Sequence, residues 1–200
     1  MAEVRRRALL PPGIVFFTLS YLIVCSVLAV RKGSPEFIAY SGAMVVFIAL
    51  VLALNAQARL AHTTLWLLSI WGMLHMLGGT VPIPVAYADT EIADPVLYAL
   101  RLHSALPRYD QIVHFFGFFS ATLTAWEALR NALGTRPGLG LSIAAALIGM
   151  GLGAVNEVLE FIITLVIPEN GVGGYVNTGW DLVSNALGAI TAGVLTLNKR

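Results

Sequence analysis

From Ile14 to Val30 the chain reads IVFFTLSYLIVCSVLAV, and from Phe37 to Leu54 it reads FIAYSGAMVVFIALVLAL. Neither stretch holds a charged side chain. Each is about as long as a helix must be to cross a hydrocarbon core of about 30 Å, and neither shows the amphipathic stripe of a soluble core helix. Predominantly apolar runs follow over 64–81, 109–130, 141–166 and 179–197. Lys32-Gly33-Ser34-Pro35, Pro82 to Pro84, Arg136-Pro137-Gly138 and Asn170 to Gly174 are breaks, because Gly and Pro interrupt helical hydrogen bonding. The pattern predicts an all-α integral membrane bundle of about six transmembrane helices, forming a single domain over residues 1–200.

Composition agrees. A chain with 58% hydrophobic and 12% charged residues lies outside the balance of a soluble domain. A net charge of +1 offers no basic surface for nucleic acid, so membrane lipids are the expected surroundings. The single cysteine, Cys25, falls in the first run, where it excludes an intramolecular disulfide and reads as packing.

Lys and Arg set the expected orientation. Arg5, Arg6, Arg7, Arg59, Arg130, Arg136, Lys199 and Arg200 lie on the side of the termini, against Arg31, Lys32, Arg101 and Arg108 on the other. Both termini are therefore expected in the cytoplasm, with a first span retained rather than cleaved as a signal peptide. The longest connection, 82–108, is then outside. Asp94 as N-cap and Pro95 at the first position would start a short helix there, with Val96, Leu97 and Leu100 as its apolar strip on the bilayer; an ordered loop covering the bundle is the other reading. Gly149 and Gly153 in the fifth span, and Gly188 and Ala192 in the sixth, have the small-residue spacing that lets helices approach closely.

Ionisable groups at membrane depth are costly, so each calls for an explanation. The fourth span carries Asp110 and His114 four residues apart, on one face; the fifth carries Asn156, Glu157 and Glu160; the sixth carries Asp181 and Asn185; the third carries His75. With alternating span directions, His75, His114, Glu160 and Asn185 all fall about 7 to 9 Å from the outer helix ends. Four spans thus bring polar groups to one level, which predicts a polar site open to the outer face. Asp110, His114, Glu160 and Asp181 have the donor chemistry for a divalent metal such as zinc, manganese or iron. Glu157, Glu160 and His114 are the candidate catalytic acid–base groups, and Asn156, Asn185 and His75 the candidate ligand-binding ones.

The same residues have structural readings. Asp110 would cap the fourth helix, and Thr178-x-x-Asp181 fits a capping box for the sixth. The asparagines would bridge helices and His75 would pack. Glu157 and Glu160 would pair with Arg101 or Arg108 of the outer connection. Glu127 would reach headgroups near Arg130, and Trp66, Trp71, Trp126 and Trp180 would mostly anchor span ends.

Tyr109-Asp110-Gln111-Ile112-Val113-His114, then Glu157-x-x-Glu160, then Trp180-Asp181-x-x-x-Asn185-x-x-Gly188 resembles the YjdF-like inner-membrane proteins and, more distantly, the VanZ-like family. The resemblance runs from Tyr109 to Ile190. It implies a bacterial-type multispan protein of the inner membrane, and the VanZ-like side implies a link to the cell envelope. VanZ-like proteins usually carry an arginine before the Asp-x-x-x-Asn element and often a glutamine where this chain has Glu160. Asn177 stands where the YjdF-like pattern has a further aspartate.

The function expected from these readings is binding of a lipid or lipid-linked envelope headgroup, with metal-assisted hydrolysis or transfer as the enzymatic form. The alternatives are a proton- or ion-coupled transporter, in which Glu157 and Glu160 exchange protons, and a structural or partner-binding membrane protein.

Overall fold

The computed structural model describes residues 10–33, 35–89, 95–167 and 173–198. Its helices are α1 (Pro12–Lys32), α2 (Pro35–Ala58), α3 (His62–Thr80), α4 (Tyr109–Ala132), α5 (Leu139–Val166) and α6 (Tyr175–Thr196). Each covers one of the apolar runs. Local chemistry sets their ends. Pro12 sits in the first turn of α1, where its missing N–H costs nothing, and Gly33 stops the helix in the left-handed region at φ 69, its N–H returning to the carbonyls of Ala29 and Val30.

Helices α1, α4, α5 and Phe37–Ala58 of α2 are long and apolar enough to cross a membrane. Helices α3 and α6 are more polar, but Thr64 and Ser69 of α3 and Asn177, Asp181 and Asn185 of α6 are buried. The outward surface is apolar instead, with Ile23, Val46, Leu147, Ile162 and Val183 exposed. Polar inside and apolar outside is the arrangement lipid demands.

Helix α4 is the hub. It packs on α2, α3, α5 and α6, while α1 packs on α2 and α3. Close approach explains the glycines. A Cβ on Gly188 of α6 would run into the Phe115 carbonyl oxygen of α4, and one on Gly153 of α5 would lie 2.8 Å from the Asn185 Cβ of α6. Helices α5 and α6 touch as their small residues suggest, and α4 is wedged against both: the nearest obstacle to a side chain at Gly149 is the Thr122 hydroxyl. In the other half, Cys25 packs with Tyr21, Met44 and Met76.

The connection after α3 is a backbone-paired cap. Pro82 pairs with Val96 and Ala88 with Leu100 as isolated antiparallel bridges. Ile83 N–H donates to Pro95 O at 2.8 Å and Leu97 N–H to Val81 O at 2.9 Å. Among its described residues only 3-10 turns form, at Val85–Tyr87 and Leu97–Ala99, and Val96 is buried. The amphipathic surface helix expected from Pro95 onward is therefore replaced by a loop over the bundle, because these backbone groups find partners across the connection instead of along it. The expected cap, Asp94, lies outside the described residues.

Two further expectations are corrected. The Glu127 carboxylate is buried, accepting the Ala61 N–H at 2.8 Å and the Thr64 hydroxyl at 2.7 Å, so it caps the start of α3 and does not reach toward headgroups. Trp126 is buried and Trp71 stacks on His75 with centroids 5.4 Å apart, so these two tryptophans pack inside the bundle.

Candidate functional site

The start of α4 frees Asp110 from capping. Arg108 is the N-cap, and its N–H is taken by the Gln111 side chain at 2.9 Å. Asp110 in the first turn instead turns inward, with Oδ1 3.5 Å from His114 Nε2 and Oδ2 3.4 Å from the Asn177 amide. Helix α6 begins at Tyr175 after the N-cap Gly174, which puts Thr178 inside the helix and removes the Thr178–Asp181 capping box. Asn177, Asp181 and Asn185 then form one buried stripe, four residues apart.

Helix α5 supplies the rest. Glu157 Oε1 lies 3.3 Å from His114 Nδ1 and accepts the Asn185 amide at 3.0 Å. Glu160 Oε1 lies 3.6 Å from His114 Nε2 and is held by the Asn156 amide at 2.7 Å. The two glutamates thus face His114. The expected arginine partners are engaged elsewhere: Arg101 with Asp89 at 2.9 Å, and Arg108 with Asp110 at 3.6 Å and Asp89 at 3.9 Å.

These contacts fix the imidazole. Asn185 donates through Nδ2, so its Oδ1 is an acceptor, and His114 Nδ1, 3.0 Å away, carries the proton. Nε2 faces the carboxylates of Asp110 and Glu160. A ring nitrogen held by a hydrogen bond while the other points at carboxylates is how proteins orient a metal-binding histidine. One donor atom from each of Asp110, His114 and Asp181 lies within 4.8 Å of the others, and the same holds for His114, Glu157 and Glu160. Asp181 is fully buried, and neither of its carboxylate oxygens has a hydrogen-bond partner among the described residues.

Beside Nε2 is a cavity of about 30 Å³, the space of one water or one ion. Asp110, His114, Asn156 and Glu160 form its polar wall. Tyr40, Trp71, His75 and Tyr98 form the aromatic one. Tyr40 is on α2 and Glu160 on α5, two helices that both pack on α4 without packing extensively on each other. Both side chains are only partly buried, so the cavity reaches the side of the bundle between them.

His75 belongs to the wall. The Tyr98 hydroxyl donates to the His75 carbonyl at 2.8 Å and lies 2.6 Å from His75 Nδ1, which accordingly carries the proton it accepts. Burial, and then the Asp110 carboxylate, hold the Tyr98 phenol well above its ordinary range, so it remains a donor. Tyr98, Arg108 and Asn177 were not singled out as site residues by sequence reasoning. Asn177 had a usable signal in its spacing from Asp181 and Asn185; Tyr98 and Arg108 had none, since their roles depend on the fold of the cap.

The site is built from Tyr109-Asp110, Glu157-x-x-Glu160 and Asp181-x-x-x-Asn185, the elements that carry the YjdF-like resemblance. The chain belongs to the family described as "Predicted membrane protein (DUF2238)". The match covers residues 13–199, so it takes in all six helices rather than the last three alone. No curated protein and no solved structure matches the chain. This family and the YjdF-like group are the same, and its description gives the membrane character and no activity.

Proposed function

We propose that the chain holds one divalent cation between α4, α5 and α6, and acts there on the headgroup of a membrane lipid or lipid-linked envelope intermediate. The Asp181 carboxylate carries this reading: it is fully buried, has no hydrogen-bond partner among the described residues, and lies beside His114 and Asp110. An unpaired buried carboxylate is strongly unfavourable, and a cation offsets that cost. Asp110, Asp181 and His114 Nε2 would be the ligands, and Glu160 closes the set from the side of the cavity. Imidazole with carboxylates suits zinc, manganese or iron. Asn185 and Glu157 orient the imidazole, and Asn156 orients Glu160.

The cavity has room for the cation or a water alone, so a lipid headgroup would present its oxygen at the mouth, between the partly buried Tyr40 of α2 and Glu160 of α5. When bound, a cation held by these residues would supply polarisation of a phosphoryl or acyl oxygen. In hydrolysis, the water oxygen bonds to phosphorus or the acyl carbon while its proton passes to Glu160. That proton then goes to the leaving alkoxide as the old ester bond breaks. The Lys and Arg distribution favours the outer leaflet of a bacterial-type inner membrane as the place of reaction.

Elemental analysis of detergent-purified protein tests this, beside Asp110→Ala, His114→Ala and Glu160→Ala. The expectation is near-stoichiometric metal, lost in the first two variants, with lipid hydrolysis abolished in His114→Ala. A metal-free wild type that shows pH-dependent flux in proteoliposomes would replace this reading with proton-coupled transport.

A further inference from the structure

The end of the bundle away from the polar site holds a second cavity, of about 1430 Å³, between the α2–α3 turn and the α4–α5 connection. Arg59 of the turn, Arg130 of the last turn of α4 and Arg136 of the connection line it. Glu127 is the one carboxylate among the described lining residues, and it is committed to the start of α3. The guanidinium groups are therefore in excess. Among the described residues, neither Arg59 nor Arg136 has an ion-pair partner.

The segments presenting these charges are pinned. Arg59 is in the left-handed region at φ 50, a conformation that glycine takes freely and arginine does not. It is kept there by Asn55, whose carbonyl accepts the Arg59 N–H and whose side chain accepts the Leu60 N–H, both at 2.9 Å. Arg130 lies over the Trp126 ring, 5.2 Å from its centroid. The connection is folded back by Thr135, whose hydroxyl donates to Leu129 O at 2.6 Å. Basic residues at span ends orient a membrane protein anywhere near the surface. That role does not require three arginines on pinned segments to line one cavity.

We infer that this cavity is a phosphate-binding site, separate from the metal site. Guanidinium forks match phosphate oxygens two at a time, and basic pockets between transmembrane helices take anionic headgroups. Exposed Leu133 and Leu139 flank the same connection and offer apolar surface beside the phosphate. The phosphate belongs to an anionic lipid or to a soluble phosphorylated ligand.

Native mass spectrometry of the full chain in detergent, with phosphatidylglycerol and phosphatidylcholine at equal concentration, tests the site. Phosphatidylglycerol should be retained about thirtyfold over phosphatidylcholine, the factor expected for losing two arginine contacts. The preference should vanish in Arg59→Gln/Arg136→Gln while metal content at the polar site stays unchanged. Arg59→Gly separates binding from folding, since it relieves the left-handed arginine: its unfolding temperature should hold or rise while retention falls severalfold. Inorganic phosphate that binds the wild type and displaces phosphatidylglycerol would assign the site to a soluble phosphorylated ligand. Equal retention of the two lipids with no phosphate binding, or a preference that survives the double substitution, overturns the inference.

Discussion

The Asn185 side-chain oxygen lies 3.0 Å from His114 Nδ1, joining α6 to α4 at the centre of the polar site. Because Asn185 also donates to Glu157, the direction of each bond in this chain is determined. His114 Nε2 lies on the opposite side of the ring, facing Asp110 and Glu160. Removing this orienting contact should lower metal affinity about 10–100-fold in Asn185→Ala, although every ligand remains. Asn185→Asp, which keeps an acceptor, should lose less. Competition against a chromophoric chelator measures both, and equal affinity in all three proteins would show that the ring is fixed in another way.

Asp181 should respond to substitution in opposite senses with and without metal. Asp181→Asn replaces a buried carboxyl that has no hydrogen-bond partner among the described residues with a group that cannot ionise, so the metal-free variant should unfold at a higher temperature than the metal-free wild type. With metal present the order reverses, because the variant has lost a ligand and the wild type gains the binding energy. Thermal unfolding in detergent, with and without chelator, reads the crossing. Identical midpoints under both conditions would remove Asp181 from the ligand set.

Helix separation rests on particular glycines. Gly188→Ala must push α6 off the Phe115 carbonyl of α4 and should cost about 1–3 kcal/mol, whereas Gly151→Ala, with nothing within 4 Å, should be tolerated. Unfolding midpoints of the two variants, compared with wild type, decide this. A Gly188→Ala protein as stable as wild type would mean that the helices are free to shift.

Glu127→Ala leaves the Ala61 N–H and the Thr64 hydroxyl without acceptors at a buried helix start, for a loss of about 1.5–3 kcal/mol. Glu127→Gln, which keeps one acceptor oxygen, should fall between. A side chain that only touched headgroups would give no change in either, so the same unfolding series separates the roles.

Tyr98 ties the cap to α3 through His75. Its folded pKa is raised above the ordinary 10.0, so the folded cap holds the phenol proton more tightly than the open one does. That contribution is complete below about pH 10 and is lost as pH rises through the folded value. Hydrogen exchange over residues 95–101 should therefore accelerate above pH 10 beyond the intrinsic rate. In Tyr98→Phe it should be faster at neutral pH, without that extra pH dependence. An acceleration of the same size in both proteins would assign the opening to another group.

Six helices, and the sharing of one helix face by spaced polar residues, follow from local properties of the sequence. Run length against bilayer thickness sets the spans, and spacing of four residues puts Asp110 with His114, and Asp181 with Asn185, on shared faces. The sequence by itself did not determine which partner each group takes, since that depends on how each helix is rotated about its axis and on contacts between distant segments. Glu127 reads as a headgroup contact until α3 is placed beside it, and Arg101 and Arg108 read as partners for the glutamates until the cap turns them toward Asp89. Only the packing of the helices places Tyr98 in the cavity wall, turns His114 Nε2 toward Asp110 and Glu160, and buries Asp181 with no hydrogen-bond partner among the described residues. It also brought Arg59 and Arg136, 77 positions apart in the chain, to one cavity at the other end of the bundle.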